Sequence, residues 1–142
     1  QEPTLDPLAK STMNAIDQNP KIISTGYQQD VRPFLKRAQV FVFPSYREGF
    51  PNVVLQAGAM GVPCIVSDIN GCNEIIEDEI NGFVVPPKQI QPLVEKMQFL
   101  YKDVEKRTIF IERTQTLIAT NFERAQYWEL LLAEYKLREE NV

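Results

Sequence analysis

The stretch that decides the fold reads Val40-Phe41-Val42-Phe43-Pro44-Ser45-Tyr46-Arg47-Glu48-Gly49-Phe50-Pro51-Asn52. Its first four residues are all apolar, which is typical of a strand inside a sheet that helices cover on both faces. A polar loop follows, and Pro51 fits the first position of a helix because its backbone angle is already helical. The stretch therefore predicts a strand, a loop and a helix, which is the repeating unit of a parallel α/β sheet.

Similar units lie on both sides of this stretch. Short apolar runs bounded by turn residues predict three more strands, at Ile22–Thr25, Cys64–Val66 and Phe83–Val85. Apolar periodicity and capping residues predict helices over residues 8–17, 31–38, 51–60 and 72–77, and helices only from residue 90 onward. The predicted fold class is α/β, with a Rossmann-like parallel sheet and flanking helices.

The last predicted helix covers residues 123–139 and has an apolar face. Ala125, Trp128, Leu132 and Tyr135 recur at helical spacing on that face, with Leu131 beside them. Such a stripe indicates a core or an interface rather than a cofactor site.

Length and composition narrow the class of protein. The chain has 142 residues and a formal net charge of −4, so we expect one domain with a core and no nucleic-acid partner. It contains no histidine, which removes Ser-His-Asp catalysis and most zinc sites. Cys64 lies in an apolar run and predicts a buried reduced thiol, which together with the absence of a paired-cysteine motif favours a reducing cytoplasm.

The beginning of the chain lacks the features of a targeting signal. Gln1-Glu2-Pro3 opens it without a basic segment or an apolar segment, and no apolar run is long enough to cross a bilayer. The chain also opens without methionine, which favours a cut or processed end.

Two polar loops are the candidate site. Residues 44–52 and 67–74 each follow a predicted strand and open a predicted helix, and ligands of parallel sheets bind beyond the carboxyl ends of the strands. Helix N-termini attract anions, and Gly49 and Gly71 would let a ligand approach the backbone closely. The carboxylate of Glu48 suits a vicinal diol, since it can accept two hydrogen bonds. These residues predict a site for a phosphorylated polyol.

Structural roles compete with these assignments. Glu48 could solvate or cap its own loop, and Glu74 could be a carboxylate of the first helical turn. Arg47 could be a solvated surface residue rather than a phosphate clamp. Asn70-Gly71 is a turn signal in any fold.

The motifs together resemble glycosyltransferase family 4, also described as glycosyl transferases group 1. The resemblance rests on residues 40–54, on Ala57-Gly58-Ala59-Met60-Gly61-Val62-Pro63, on Gly71-Cys72-Asn73-Glu74-Ile75-Ile76 and on Asn81-Gly82-Phe83-Val84-Val85-Pro86-Pro87. It is strong over residues 20–100 and weaker beyond. It implies the C-terminal, donor-binding half of a GT-B fold, which would make the chain a single partial domain over 1–142, with a core at 20–100 and C-terminal helices at 104–142.

The resemblance also implies roles for individual residues. Glu48 matches the first glutamate of the Glu-x7-Glu hallmark and would be the catalytic residue that holds hydroxyls of the donor sugar. Gly49, Phe50, Pro51 and Asn52 would line the sugar and the diphosphate. Asn70 and Gly71 would close the donor pocket, and Gln56 would meet the ribose.

Two departures from the family's pattern affect these roles. Gln56 occupies the second hallmark position, where the family has glutamate, so it keeps an acceptor oxygen but lacks the charge. The family's first two strands and its basic diphosphate clamp match nothing here, which implies an N-terminally incomplete sheet with a gap between Ile22–Thr25 and Val40–Phe43. Unpaired strand edges favour self-association, and the missing N-terminal domain would be a second partner.

The implied activity is that of a retaining glycosyltransferase that needs no metal and no cofactor. It would move a hexosyl or N-acetylhexosaminyl group from a nucleoside diphosphate sugar to a polysaccharide or lipid-linked acceptor. The enzyme would be cytoplasmic and could lie peripherally at the inner face of the membrane through regions outside this chain, and this chain alone would be inactive. Two alternatives stay open: a sugar-nucleotide epimerase or phosphorylase of the same fold, and a noncatalytic nucleotide-binding or partner-binding α/β domain.

Overall fold

The computed structural model describes residues 8–139, apart from the side chains of four residues in the last helix. The described chain comprises two compact units, one ending at Val31 and the other beginning at Arg32. The first unit contains α1 (Lys10–Gln18), which has no buried residue. The prediction of a single partial domain over residues 1–142 stays a prediction.

The predicted strand at Ile22–Thr25 is wrong, because these residues form no strand. Ile22 is 46% exposed and Ile23 is 84% exposed. An extended apolar segment becomes a strand only when a neighbouring strand takes up its backbone hydrogen bonds. Within residues 8–139 the sheet consists of three strands, and this segment is not one of them.

The second unit is an α/β layer structure. In chain order its elements are α2 (Arg32–Leu35), β1 (Phe41–Phe43), α3 (Asn52–Ala59), β2 (Cys64–Ser67), α4 (Cys72–Ile75), β3 (Gly82–Val85), α5 (Ile90–Lys102), α6 (Val104–Asn121) and α7 (Arg124–Glu139). The three strands are parallel and pair in the order β1-β2-β3. The predicted parallel sheet with flanking helices is confirmed, and between residues 90 and 139 the only regular elements are helices, as predicted.

The centre of the core lies where α5 and α6 cover the sheet. β2 is buried along its whole length, as its continuous apolar run predicts. Phe83 and Phe110 meet edge to face with ring centroids 5.1 Å apart, and Ile65, Val85 and Leu100 complete this cluster. The buried strand β2 therefore fixes where its loop, which belongs to the candidate site, leaves the sheet.

β1 differs from the sequence-based expectation of a strand covered on both faces. Phe41, Val42 and Phe43 are only half-buried, because within the described residues β1 pairs with β2 alone and forms an edge of the sheet. A cavity of about 540 Å³ lies beside it, lined largely by apolar side chains such as Val40, Val42, Met97 and Tyr101. The apolar pattern of β1 is therefore not fully used inside the described chain.

The apolar stripe of α7 is exposed. Trp128 is 47% exposed and Tyr135 is 60% exposed, and Ala125 and Leu132 are exposed as well. The core alternative for this stripe is therefore wrong in the described chain, and the interface alternative stays a prediction. Among residues 8–139, no helix combines the length and the apolarity that crossing a membrane requires.

Candidate functional site

The structure brings the two predicted loops into direct contact at Gly71. Gly71 has a backbone φ of 79°, and an added Cβ there would lie 2.9 Å from Cδ of Pro51 and overlap the carbonyl oxygen of Gly49. The backbone of the second loop therefore lies directly against residues 49–51 of the first. Only glycine meets both requirements, since a side chain would be strained by φ and blocked by the neighbouring loop.

Glu48 is held by its own loop. Its carboxylate accepts a 2.7 Å hydrogen bond from the hydroxyl of Ser45, and the side chain is half-buried. This bond is local and uses one lone pair, so the carboxylate keeps capacity for further donors such as sugar hydroxyls. The proposed structural role, solvation or capping within the loop, and the proposed binding role are both compatible with this geometry.

Glu48 also faces the start of α4. Burial raises the pKa of the Cys72 thiol, and the negative charge of Glu48 raises that pKa further. Cys72 is fully buried and directly follows Gly71. The Glu48 carboxylate, which belongs to the first loop, therefore lies near the second loop, where Gly71 meets residues 49–51.

The N-terminus of α3 faces the same region. Pro51 is buried at the N-cap position, one residue before the helix, and no side chain caps this end. The helix thus begins at Asn52, one residue later than predicted. Asn52 and Gln56 are both exposed and lie one turn apart, so they share one side of α3. An uncapped helix N-terminus with amide side chains on one side suits anions and hydroxyls.

The second loop is ordered by hydrogen bonds of its own. The Gly71 amide donates to the carboxylate of Glu74 over 3.1 Å, and the Asn73 side chain donates to Asp68 over 3.0 Å. Glu74 therefore acts as a carboxylate of the first helical turn, the structural role that its sequence position suggested. Asn70 remains exposed at the tip of this loop.

Phe50 and Gly49 complete the first loop. Phe50 is 42% exposed and packs against Phe122, with ring centroids 5.7 Å apart. An added Cβ at Gly49 would meet nothing within 4 Å. The folded chain therefore leaves open space beside Gly49, whereas it requires glycine at Gly71.

Lys88 is a residue that the sequence analysis did not identify. It lies in the loop after β3, at the carboxyl ends of the strands, where the two predicted loops also lie. Its ammonium nitrogen lies 4.6 Å from the centre of the Tyr46 ring. Pro86-Pro87 did mark the end of the strand, so a basic residue directly after it was a usable signal. The contact with Tyr46 joins two chain segments 42 positions apart and is not visible in either segment alone.

Comparisons with known proteins identify the family. A family model described as "Glycosyl transferases group 1" matches residues 3–103. The chain is 30% identical over 132 residues to the capsular polysaccharide biosynthesis glycosyltransferase CapM of Staphylococcus aureus, covering 87% of this chain and 35% of that protein. The chain belongs to the glycosyl transferases group 1 family.

A second relative carries a more specific name. The chain is 39% identical over 82 residues to N,N'-diacetylbacillosaminyl-diphospho-undecaprenol alpha-1,3-N-acetylgalactosaminyltransferase of Campylobacter jejuni, covering 58% of this chain and 22% of that protein. The chain thus spans about a third or less of the length of these relatives.

Solved glycosyltransferase structures share the fold. A glycosyltransferase from Rickettsia africae aligns with a TM-score of 0.84 at 21% identity, covering 94% of this chain and 36% of that one. Anabaena Alr3699/HepE, solved in complex with UDP-glucose, aligns with a TM-score of 0.77 at 20% identity, covering 87% of this chain and 35% of that one. The sequence-based expectation of a GT-B glycosyltransferase fold is confirmed.

Proposed function

We propose that this chain binds the donor in a retaining glycosyltransferase that transfers a hexosyl or N-acetylhexosaminyl group from a nucleoside diphosphate sugar to a polysaccharide or lipid-linked acceptor. The observation that carries the proposal is the contact of Gly71 with residues 49–51. The half-buried Glu48 and the uncapped N-terminus of α3 flank these residues in the chain. A sugar diphosphate needs both kinds of group, acceptors for its hydroxyls and donors for its phosphates.

The relatives support the substrate classes. CapM is named for capsular polysaccharide biosynthesis, and the Campylobacter relative is named for transfer of N-acetylgalactosamine to a lipid-linked diphosphate sugar. HepE was solved with UDP-glucose. These names favour a transferase over the epimerase, the phosphorylase and the noncatalytic domain.

Each site residue has a part in the proposed mechanism. Glu48 accepts hydrogen bonds from hydroxyls of the donor sugar and orients it. Backbone groups of Gly49, Phe50 and Asn52 lie along the sugar and the diphosphate, whereas Pro51 has no N–H to donate. Catalysis then comes mainly from positioning and from stabilising the charge of the departing diphosphate.

Gln56 and the second loop complete the proposed donor pocket. Gln56 meets the ribose from the exposed side of α3, and its neutral amide forms weaker bonds than a glutamate would. Asn70 and Gly71 close the pocket from the second loop. No metal or other cofactor takes part in the proposed mechanism.

The remaining parts of the enzyme are supplied from outside this chain in the proposal. The acceptor site and the basic clamp on the diphosphate belong to an N-terminal domain and to strands that this chain does not match, so the chain alone is inactive. The complete enzyme works in the cytoplasm, peripheral at the inner face of the membrane through those other regions. Self-association through the open edge of β1 is part of the same proposal.

Ligand-observed NMR tests donor binding directly. Saturation transfer is measured from the chain to UDP, GDP, ADP and TDP, and then to the sugar nucleotide of whichever diphosphate binds. Gln56→Ala should weaken the diphosphate and its sugar nucleotide alike, by about fivefold for one lost hydrogen bond. Glu48→Ala should weaken binding of the sugar nucleotide by at least about tenfold, because hydrogen bonds to a charged carboxylate are stronger, and should leave binding of the diphosphate unchanged.

A matched control separates the site from the rest of the surface. Glu112→Ala removes an exposed carboxylate from α6 and should bind every ligand as the unaltered chain does. Absence of transfer to all four diphosphates from a folded sample would contradict donor binding by this chain. Equal loss of diphosphate and sugar nucleotide in Glu48→Ala would contradict the assignment of Glu48 to the sugar.

A further inference from the structure

Lys88 combines an unusual backbone with a long-range contact. Its φ is 61°, and within residues 8–139 only Glu79 is another non-glycine residue with positive φ. A side chain in this region costs on the order of 1 kcal/mol or more, which persists where the surrounding structure fixes it. Burial does not fix Lys88, because its side chain is exposed.

The backbone conformation points the Lys88 side chain toward the candidate site. Lys88 follows β3, whereas Tyr46 follows β1, and β2 lies between these two strands. Neighbouring strands are about 4.8 Å apart, so the ammonium reaches across the end of the central strand to meet Tyr46. Tyr46 lies two positions from Glu48 in the first loop, and the residue is 48% exposed.

The contact with Tyr46 leaves the charge of Lys88 available. Within the described residues the ammonium group of Lys88 forms no hydrogen bond and no ion pair, and it contacts the ring of Tyr46. An exposed cation–π contact contributes only about 0.5–1 kcal/mol and leaves the ammonium protons free to donate. Arg47 is the other basic residue of the three loops at this edge, which span residues 44–51, 68–71 and 86–89.

We propose that Lys88, positioned by the Tyr46 ring, binds a phosphoryl group of the substrate at the mouth of the site. This inference rests on the proposed function. It adds a positive charge from the loop after β3, which belongs to neither of the two predicted loops. Lysine is a common phosphate ligand and acts there as a point charge. The phosphoryl group that Lys88 binds can come from either of two substrates: it can belong to the diphosphate of the donor or to the acceptor.

The test compares four variants by titration with UDP. Lys88→Gln removes the charge and should weaken binding by about fivefold, as expected for an exposed ion pair. Lys88→Arg keeps the charge and should bind within twofold of the unaltered chain. The Lys88→Gln difference should shrink as salt rises from about 0.05 M to about 0.5 M, because the ionic contact is screened. Lys36→Gln removes another exposed lysine and should have no effect.

Lys88→Gly separates binding from structure. Glycine tolerates the positive φ, so this variant should raise the midpoint of urea denaturation. It should weaken the binding of UDP as much as Lys88→Gln does. A merely structural lysine would change the urea midpoint and leave binding and its salt dependence alone.

A second titration identifies the source of the phosphoryl group. Inorganic pyrophosphate is added to the chain saturated with UDP. Loss of UDP affinity in Lys88→Gln assigns the contact to the donor, whereas a Lys88-dependent loss confined to pyrophosphate assigns it to the acceptor. If the unaltered chain binds UDP but neither ligand depends on Lys88, the inference is wrong and the proposed function stands. If the unaltered chain binds neither UDP nor pyrophosphate, both the inference and the proposed function are wrong.

Discussion

Replacement of Gly71 by alanine tests how the two loops of the candidate site are joined. The backbone φ of 79° lies in the left-handed region, where a Cβ costs about 1–2 kcal/mol. The new methyl group would lie 2.9 Å from Cδ of Pro51 and would overlap the Gly49 carbonyl oxygen. Pro51 is a buried residue and Gly49 contributes backbone, so neither can move away cheaply, and such overpacking adds about 1–3 kcal/mol.

We therefore expect Gly71→Ala to lower the free energy of unfolding by roughly 2–5 kcal/mol. Urea denaturation followed by far-UV circular dichroism measures the loss. Gly49→Ala is the matched control, because its Cβ meets nothing within 4 Å and its φ is not positive. It should change stability by no more than about 0.5 kcal/mol.

The same pair of variants also separates stability from ligand binding. Gly49→Ala should bind UDP less tightly if a ligand uses the open space beside residue 49, even though the chain stays as stable. Neutral surface substitutions change the free energy of unfolding by no more than about 0.5 kcal/mol. A change as small as this in Gly71→Ala would refute the close contact between the loops.

Two further variants test the core around the site. Gly58→Ala would place a Cβ 2.5 Å from Cγ2 of Thr114 and 2.6 Å from Cδ1 of Ile118, so these two side chains of α6 must move. We expect urea denaturation to show a loss of about 1–3 kcal/mol in the free energy of unfolding. Burial raises the pKa of Cys64 to about 12, from 9.0, so the thiol should not react with Ellman's reagent at pH 8 until urea unfolds the chain. Since the unfolded thiol ionises first, stability should fall as pH rises from 9 toward 12, and Cys64→Ala should reduce that fall. Rapid labelling of the folded chain at Cys64, located by peptide mapping, would contradict the burial of this residue.

The sequence by itself determined the elements whose signals are local. The apolar run Cys64–Val66 predicts a strand buried on both faces, and β2 is buried throughout, because a strand at the centre of a covered sheet needs apolar residues at every position. The motifs around Glu48 and Gly71 identified the family, since order and spacing of residues are properties of the chain alone. Proline and glycine placed the start of α3 to within one residue.

Only the tertiary structure decided which segments find partners. Ile22–Thr25 has the composition of a strand but forms none, and β1 has the composition of a central strand but forms an edge, because strand formation depends on neighbours that no local pattern encodes. For the same reason the stripe of α7 around Trp128 is exposed, although its periodicity predicts a buried or covered face. The contacts of Gly71 with residues 49–51 and of Lys88 with Tyr46 join loops that are distant in sequence, and they exist because parallel strands deliver their carboxyl ends to one edge of the sheet.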